Sequence, residues 1–338
     1  MAEATPPSWA EIPRDLASKV LSLLPTHADR VRFAAVCPQW RAAARQLRLP
    51  RPLPVLALPD GTIYSCPDGK PLHFPGLDLA GFKTACGNWL VFLRDEDCFL
   101  VDPFAGATVT LPALSHVRPI PPDAVARYVM FGNVAMFYPF ATWMHIIEPN
   151  KIPGKLYAID QDENLLVVNI SEHPTTGNPQ VSQIEQVIKG NPFHTTIHTA
   201  VKKKIYLVES CGTLLMVRRK VHCRVEGLGL VAGQNEFEVF KADLEQSLWV
   251  NVKTLGDDQM LFLGRPCSRA VSASQYRMSG DQIFFLDDIM ENDFEEYTFE
   301  EEISSVSAYN MRTGEVSSPL PMVWNHKMIT AAWLFPCD

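Results

Sequence analysis

The spacing of apolar residues changes at Pro50-Arg51-Pro52-Leu53-Pro54, and that change limits the fold more than any single motif. Before it, apolar side chains recur at helical intervals. After Pro13, which suits a first helical turn, Leu16, Val20 and Leu23/Leu24 fall at i, i+4 and i+7/i+8 until Pro25 stops the run. Thr26 with Asp29 three residues on resembles a capping box with the shorter acid, and opens an apolar-rich run, Val31 to Cys37, that Pro38 closes. Trp40, Ala44 and Leu47 then share a face in a third segment. The spacing predicts a flexible N-terminus over 1–8, three short helices within 9–49 and a stiff, extended Pro-rich linker over 50–54. So small a helical unit, with neither disulfide nor metal pattern, does not bury its own apolar surface, which therefore wants a partner.

Beyond Pro54 the chain turns to short β-rich runs around polar turns. Examples are VLALPDGTIYSC (55 to 66), WLVFLRDEDCFLVDP (89 to 103), LYAIDQDENLLVVNI (156 to 170) and IYLVESCGTLLMVRR (205 to 219). Each reads as strand, turn, strand. The turn Arg312-Thr313-Gly314-Glu315 echoes Phe104-Ala105-Gly106-Ala107, a degenerate internal repeat. No long amphipathic helix interrupts the region, which disfavours a doubly wound α/β enzyme. Dividing the region by the ~40 to 50 residues of a propeller blade predicts an all-β domain over 55–338, a β-propeller of about six blades. Lys202 to Lys204 reads as a hairpin turn, and the acidic tract Glu291 to Glu302 as a solvated loop.

Charge is unevenly placed. Residues 1–50 hold seven Lys/Arg against four acids, net +3, so the remainder carries 23 basic against 34 acidic residues, net -11. A basic module on an acidic body fits a small part that meets an acidic partner, and argues against nucleic-acid binding by the body. The eight cysteines include no CxxC pair and read as buried thiols of a reducing compartment. With no apolar leader at the N-terminus, the expected location is cytoplasm or nucleus. Val129 to Ile147 lacks Asp, Glu, Lys and Arg, yet Gly132-Asn133 and Pro139 break it into short strands rather than a membrane span.

Pairs of histidines, glycines and carboxylates occur along the chain without completing a catalytic pattern. His194 and His198 stand at i, i+4, but Thr195 occupies the place of the glutamate in a zinc-protease helix. Gly227, Gly229 and Gly233 miss the dinucleotide fingerprint by one residue and read as a mobile loop. Asp257-Asp258 and Asp287-Asp288 are ordinary turn acids. Trp89, Trp143, Trp249, Trp324 and Trp333 suit blade core better than a ligand surface. No nucleophile, metal or cofactor is expected, and the chain reads as non-catalytic.

The string WAEIPRDLASKVLSLLPTHADRVRFAAVCPQWRAAA resembles the F-box, whose pattern is met in order by Ile12-Pro13, Asp15-Leu16, Val20-Leu21, Leu24-Pro25, Arg32, Val36-Cys37 and Trp40-Arg41. Ile12 stands where Leu is commoner, a volume-conserving change. The resemblance implies docking on a Skp-type adaptor, and through it a cullin, by Ile12, Pro13, Leu16, Val20, Leu21, Leu24, Pro25, Val36, Cys37 and Trp40. The body is similar to the domain of unknown function that follows the F-box in a plant family of the KIB type. The stretches that carry this are 87 to 114, 203 to 219, 239 to 264 and 271 to 288. Together the two resemblances imply the substrate-recognition subunit of an SCF-type ubiquitin ligase. The alternative is a non-catalytic propeller scaffold binding a protein or small molecule without ubiquitin transfer.

Overall fold

The computed structural model describes residues 12–24, 27–46, 52–66, 69–94, 97–111, 127–131, 134–138, 145–147, 155–160, 162–172, 179–190, 201–226, 229–264, 267–286, 303–318, 323–325 and 331–336. Three helices come first: α1 Arg14–Ser22, α2 His27–Val36 and α3 Pro38–Gln46. Pro13 precedes α1 with an extended backbone, φ -55° and ψ 141°, and Asp15 places a carboxylate in the first turn. Side chains close two of the helix ends: Arg30 Nε donates to the Leu24 carbonyl at 3.0 Å and Arg41 Nε to the Ala34 carbonyl at 3.2 Å.

Among the described residues, five sheets of four or more strands make up the β-propeller. The first is built from β1 Val55–Ala57, β2 Ile63–Ser65, β3 Pro71–Leu72 and the last strand, β24 Ala332–Leu334, in the order β24-β1-β2-β3. The second runs β4 Thr84–Cys86, β5 Trp89–Arg94, β6 Asp97–Asp102, β7 Ala107–Leu111. A hairpin follows, β8 Arg127–Phe131 with β9 Val134–Tyr138. The third sheet is β10 His145–Ile147, β11 Lys155–Ile159, β12 Leu165–Glu172 and β13 Pro179–Ile188. The fourth is β14 Val201–Ser210, β15 Thr213–Glu226, β16 Gly229–Asp243 and β17 Leu248–Val252. The fifth has the order β19-β18-β20-β21-β22, from β18 Gln259–Leu263, β19 Arg269–Ser272, β20 Gln282–Leu286, β21 Ile303–Asn310 and β22 Val316–Ser317, with β23 Val323–Asn325 also on β21.

The spacing predicted about six blades, and among the described residues five sheets of four or more strands are present, in approximate agreement. Between the second and third of these sheets, the described residues form the two-stranded β8–β9 hairpin and β10, which opens the third sheet. The ring closes through β24, whose Ala332, Trp333 and Leu334 pair antiparallel with Ala57, Leu56 and Val55. Neighbouring blades bury apolar faces against each other. Val55, Ala57 and Ile63 meet Leu90 and Phe92 between the first and second blades. Tyr157 and Ile159 meet Leu207 and Met216 between the third and fourth, and Tyr206 and Val208 meet Leu261 and Phe285 between the fourth and fifth. Leu56, Met260, Phe262 and Trp333 join the fifth to the first. Stacked and edge-on rings, Phe262 with Phe284 and with Trp333, fill that last seam.

The internal repeat has a physical basis. Asp102 Oδ1 accepts from the Phe104 and Ala105 N–H groups, and Asn310 Oδ1 from those of Arg312 and Thr313. Both turns end on a glycine in the left-handed region, Gly106 at φ 64° and Gly314 at φ 73°. A third copy, unseen in the sequence, runs from Asp243, which accepts from Glu245 and Gln246, to Ser247 at φ 55°. Each leads into the last strand of its blade.

Several expectations change. Pro52, Leu53 and Pro54 are buried, and Leu53, 2% exposed, packs into the seam of the first and fifth blades, so this stretch belongs to the body's core rather than to a free connector. Lys202 to Lys204 lie inside β14, opposite Arg219, Lys220 and Val221, and the hairpin turns at Cys211-Gly212 instead. Gly229 and Gly233 sit within β16. The stretch 129–147 supplies strand residues to β8, β9 and β10, and among the described residues no helix is long and apolar enough to cross a membrane. His194, His198, Gly227, Asp287, Asp288, Trp143, Pro25 and the tract 291–302 lie outside the described residues, as do 1–8 and 50–51.

Candidate functional site

The helical module divides its apolar residues between two faces. Ala17 and Leu21 of α1, Phe33 of α2 and Ala43 of α3 form its buried core, with Ile12, Leu24, Trp40 and Ala44 packed around them. The neighbouring stripe of α1 points away from that core: Leu16, Val20 and Leu23, at i, i+4 and i+7, are 38–53% exposed. Val31 and Val36 of α2 are exposed as well. Five large apolar side chains on 35 residues is more than a self-contained unit leaves in water, and a contiguous stripe of them marks a contact surface.

Of the residues implied by the resemblance, Leu16, Val20 and Val36 present apolar surface outward, and Pro13 is also exposed. Ile12, Leu24, Cys37 and Trp40 are half-buried, and Leu21 is fully enclosed in the module core. The Trp40 ring lies 4.4 Å from that of Phe33, centroid to centroid, and its backbone N–H donates to Cys37 Sγ at 3.5 Å. Trp40 therefore holds α3 against α2 whatever else it touches. Leu23 and Val31 were absent from the sequence-derived set. The signal for Leu23 was its i+7 spacing from Leu16.

In the propeller the conspicuous polar groups serve the frame. Glu163, enclosed at the β11–β12 turn, accepts from Arg218 Nε at 2.8 Å and from Lys203 Nζ at 3.2 Å, and its carbonyl accepts from Trp249 Nε1 at 2.8 Å. Arg218 also reaches Glu238 at 2.7 Å, so one guanidinium ties the third blade to the fourth. Burial alone would raise the Glu238 carboxyl, but hydrogen bonds from Arg218 and Lys220 outweigh it and hold the group below the usual range. Asp281, also enclosed, accepts from Leu255 N–H, Thr254 Oγ1 and Arg312 Nε. Asp257 pairs with Arg312, and Asp258 accepts from Ser272 and Ser274. These acids brace turns.

The thiols follow the same pattern. Cys66 and Cys98 are buried, and burial pushes the Cys86 thiol up to about 12 and raises Cys267. Cys211 is exposed at a hairpin tip. Among the described residues no three His, Cys, Asp or Glu side chains converge as metal ligands. Trp333 donates to the Leu263 carbonyl at 3.0 Å and is core.

Comparison with protein families matches an F-box domain over residues 9–52 and the KIB1-4 beta-propeller over residues 63–310. Comparison with curated proteins found no match. F-box domains as a class bind Skp-type adaptors, and the outward stripe of α1 lies within the matched segment. The propeller match spans 248 of 338 residues, from 63 to 310. The chain therefore belongs to the KIB1-4 beta-propeller family, with an F-box domain ahead of the propeller.

Proposed function

We propose that this protein is the substrate-recognition subunit of an SCF-type ubiquitin ligase, acting in cytoplasm or nucleus. Its F-box docks a Skp-type adaptor, which bridges to a cullin, while the propeller holds a target protein. The observation that carries the reading is the outward stripe Leu16, Val20 and Leu23 on a module whose own core is closed by other residues. Covering that stripe removes apolar surface from water, the main favourable term in association. The protein performs no bond chemistry in this role: it sets the distance between a bound target and the conjugating machinery.

Calorimetry of the full chain with a purified Skp-type adaptor tests it. Leu16→Ala is expected to weaken binding at least tenfold, about 1.4 kcal/mol, because a large side chain at the centre of an apolar contact is truncated. Its exposure means the helices persist by circular dichroism. Absence of wild-type binding across several adaptor paralogues would leave the propeller as a scaffold without a ubiquitination role.

A further inference from the structure

The outermost strand of a blade ends its sheet, and the backbone groups along its outer side invite a further strand unless the sequence discourages one. Most of the outer strands here are blunted. β3 and β22 are two residues long, and β3 opens on Pro71. β13 opens on Pro179, carries Glu185 and pairs with β12 through two register shifts. β7 alternates Thr108 and Thr110 with an exposed Val109. The outer strand of the fourth blade is different. β17, Leu-Trp-Val-Asn-Val, holds neither charge nor proline, and Leu248 and Val250, on one face of it, are both exposed. Leu244, in the turn before it, is exposed as well. Among the described residues no strand lies beyond β17.

That edge is held rigidly from behind. All five residues of β17 pair with β16, from Val252 opposite Val239 to Leu248 opposite Asp243, and Trp249 Nε1 donates to the Glu163 carbonyl of the third blade at 2.8 Å. The edge is therefore preorganised for a partner. Its sequence is also self-complementary about Val250. Antiparallel pairing of two copies on that axis sets Leu248 opposite Val252, Trp249 opposite Asn251 and Val250 opposite itself, so one face of the junction is apolar throughout. The same register brings the exposed Lys253 of each copy to the turn of the other that carries the exposed Glu245, so opposite charges meet at both ends. We propose that this edge is a self-association surface: two copies of the chain join β17 to β17 about a two-fold axis through Val250, merging two four-stranded sheets into one. So short a strand buries less than the roughly 800 Å² per partner of a standard interface, and the dimer forms at about tens of micromolar. The F-box takes no part in the contact.

Sedimentation velocity of the full chain alone, from about 1 to 200 µM, tests this. Wild type should pass from monomer to dimer across that range. Val250→Lys and Val250→Glu each set like charges against one another on the axis, so each alone should raise the dimer dissociation constant at least tenfold. An equimolar mixture of the two should recover the dimer, because lysine then meets glutamate. Val250 is exposed, so both variants should keep the wild-type thermal melt. Leu16→Ala, which truncates the outward stripe of the F-box, should dimerise like wild type. A wild type that stays monomeric to about 200 µM overturns the proposal and leaves the edge to a strand from another protein. Dimerisation indifferent to both Val250 substitutions, a mixture that stays monomeric, or loss of the dimer in Leu16→Ala overturns it too, the last by moving the contact to the F-box. Because no adaptor is present, each of these outcomes leaves adaptor docking untouched.

Discussion

The F-box and the propeller use apolar residues in opposite ways. In the propeller, apolar side chains from consecutive blades face each other, so Leu56, Phe262, Phe285 and Trp333 are almost wholly enclosed. In the F-box, four buried residues suffice for the core, and a second stripe of comparable size is left outside it. The propeller's buried charges are likewise matched internally, as in Glu163 with Arg218 and Lys203, whereas four cations of the F-box form no ion pair among the described residues. Among the described residues, one part of the chain turns most of its apolar surface and its charges inward, and the other leaves a share of both outside. Apolar content alone does not distinguish them. The number of faces on which it is presented does.

That contrast can be broken most forcefully at the ring closure. A chain ending at residue 331 lacks β24, and with it Trp333, Leu334 and the partner of β1. It should lose its cooperative β-sheet melt and elute as aggregate, while helical ellipticity from the F-box remains. An unchanged melt would show that the first blade does not depend on its last strand.

The next effect concerns Leu53. Leu53→Ala should destabilise the propeller by about 2 to 5 kcal/mol, as for other enclosed leucines, measured by urea unfolding followed at the tryptophans. Leu16→Ala, the same substitution on the exposed stripe, should stay within about 0.5 kcal/mol. It follows that a body lacking the F-box should begin at or before residue 52. A start at 55 that melts with the full-length body would contradict the packing of Leu53.

Trp40→Ala should fall between these. Its ring is half-buried against Phe33, so about 2 kcal/mol of F-box stability should be lost, together with adaptor binding, whereas the propeller melt stays unchanged. Loss of binding with intact F-box helices would move Trp40 from the core to the contact surface.

The smallest effect is a pH dependence. The Glu238 carboxyl is held below its unfolded value of about 4.3, so the stability it contributes is fully present above that pH. It is lost as pH falls through the lower folded value. Between pH 5 and pH 3 the propeller should therefore weaken, and Glu238→Gln should flatten that slope without altering the F-box. Equal slopes in both proteins would place the acid sensitivity elsewhere.

Much of the F-box was legible because its punctuation is local. Pro13 and Pro38 stand at helix starts, and the expected helices agree with α1, α2 and α3 to within a few residues. The period of α1 showed that it was apolar, but not which of two adjoining stripes would be buried. Leu21 and Leu16 differ in exposure because Phe33 and Ala43 meet one and not the other, a tertiary fact. In the propeller, short strands and Asp/Asn turns were readable. The blade count was readable only approximately, because β24 joins the first sheet from the far end of the chain and the fifth sheet takes five strands in its main path, with β18 and β20 parallel. The burial of Leu53 was not legible because Pro-Xaa-Pro is extended both in a linker and in a packed segment, and only the neighbours differ.

The closure through β24 also sets a timetable. Ala57 and its partner Ala332 are 275 residues apart, so at the usual ~5 to 20 residues per second of synthesis β1 waits roughly 14 to 55 s for that neighbour. Helix formation in the F-box, by contrast, needs only local contacts and takes microseconds once its residues are free. On the ribosome the F-box is therefore ready well before the propeller exists. For most of its synthesis the chain presents an exposed apolar helix beside an unfinished ring whose β1 edge is open, so early capture by an adaptor or a chaperone would shield the nascent chain when it is most prone to aggregate.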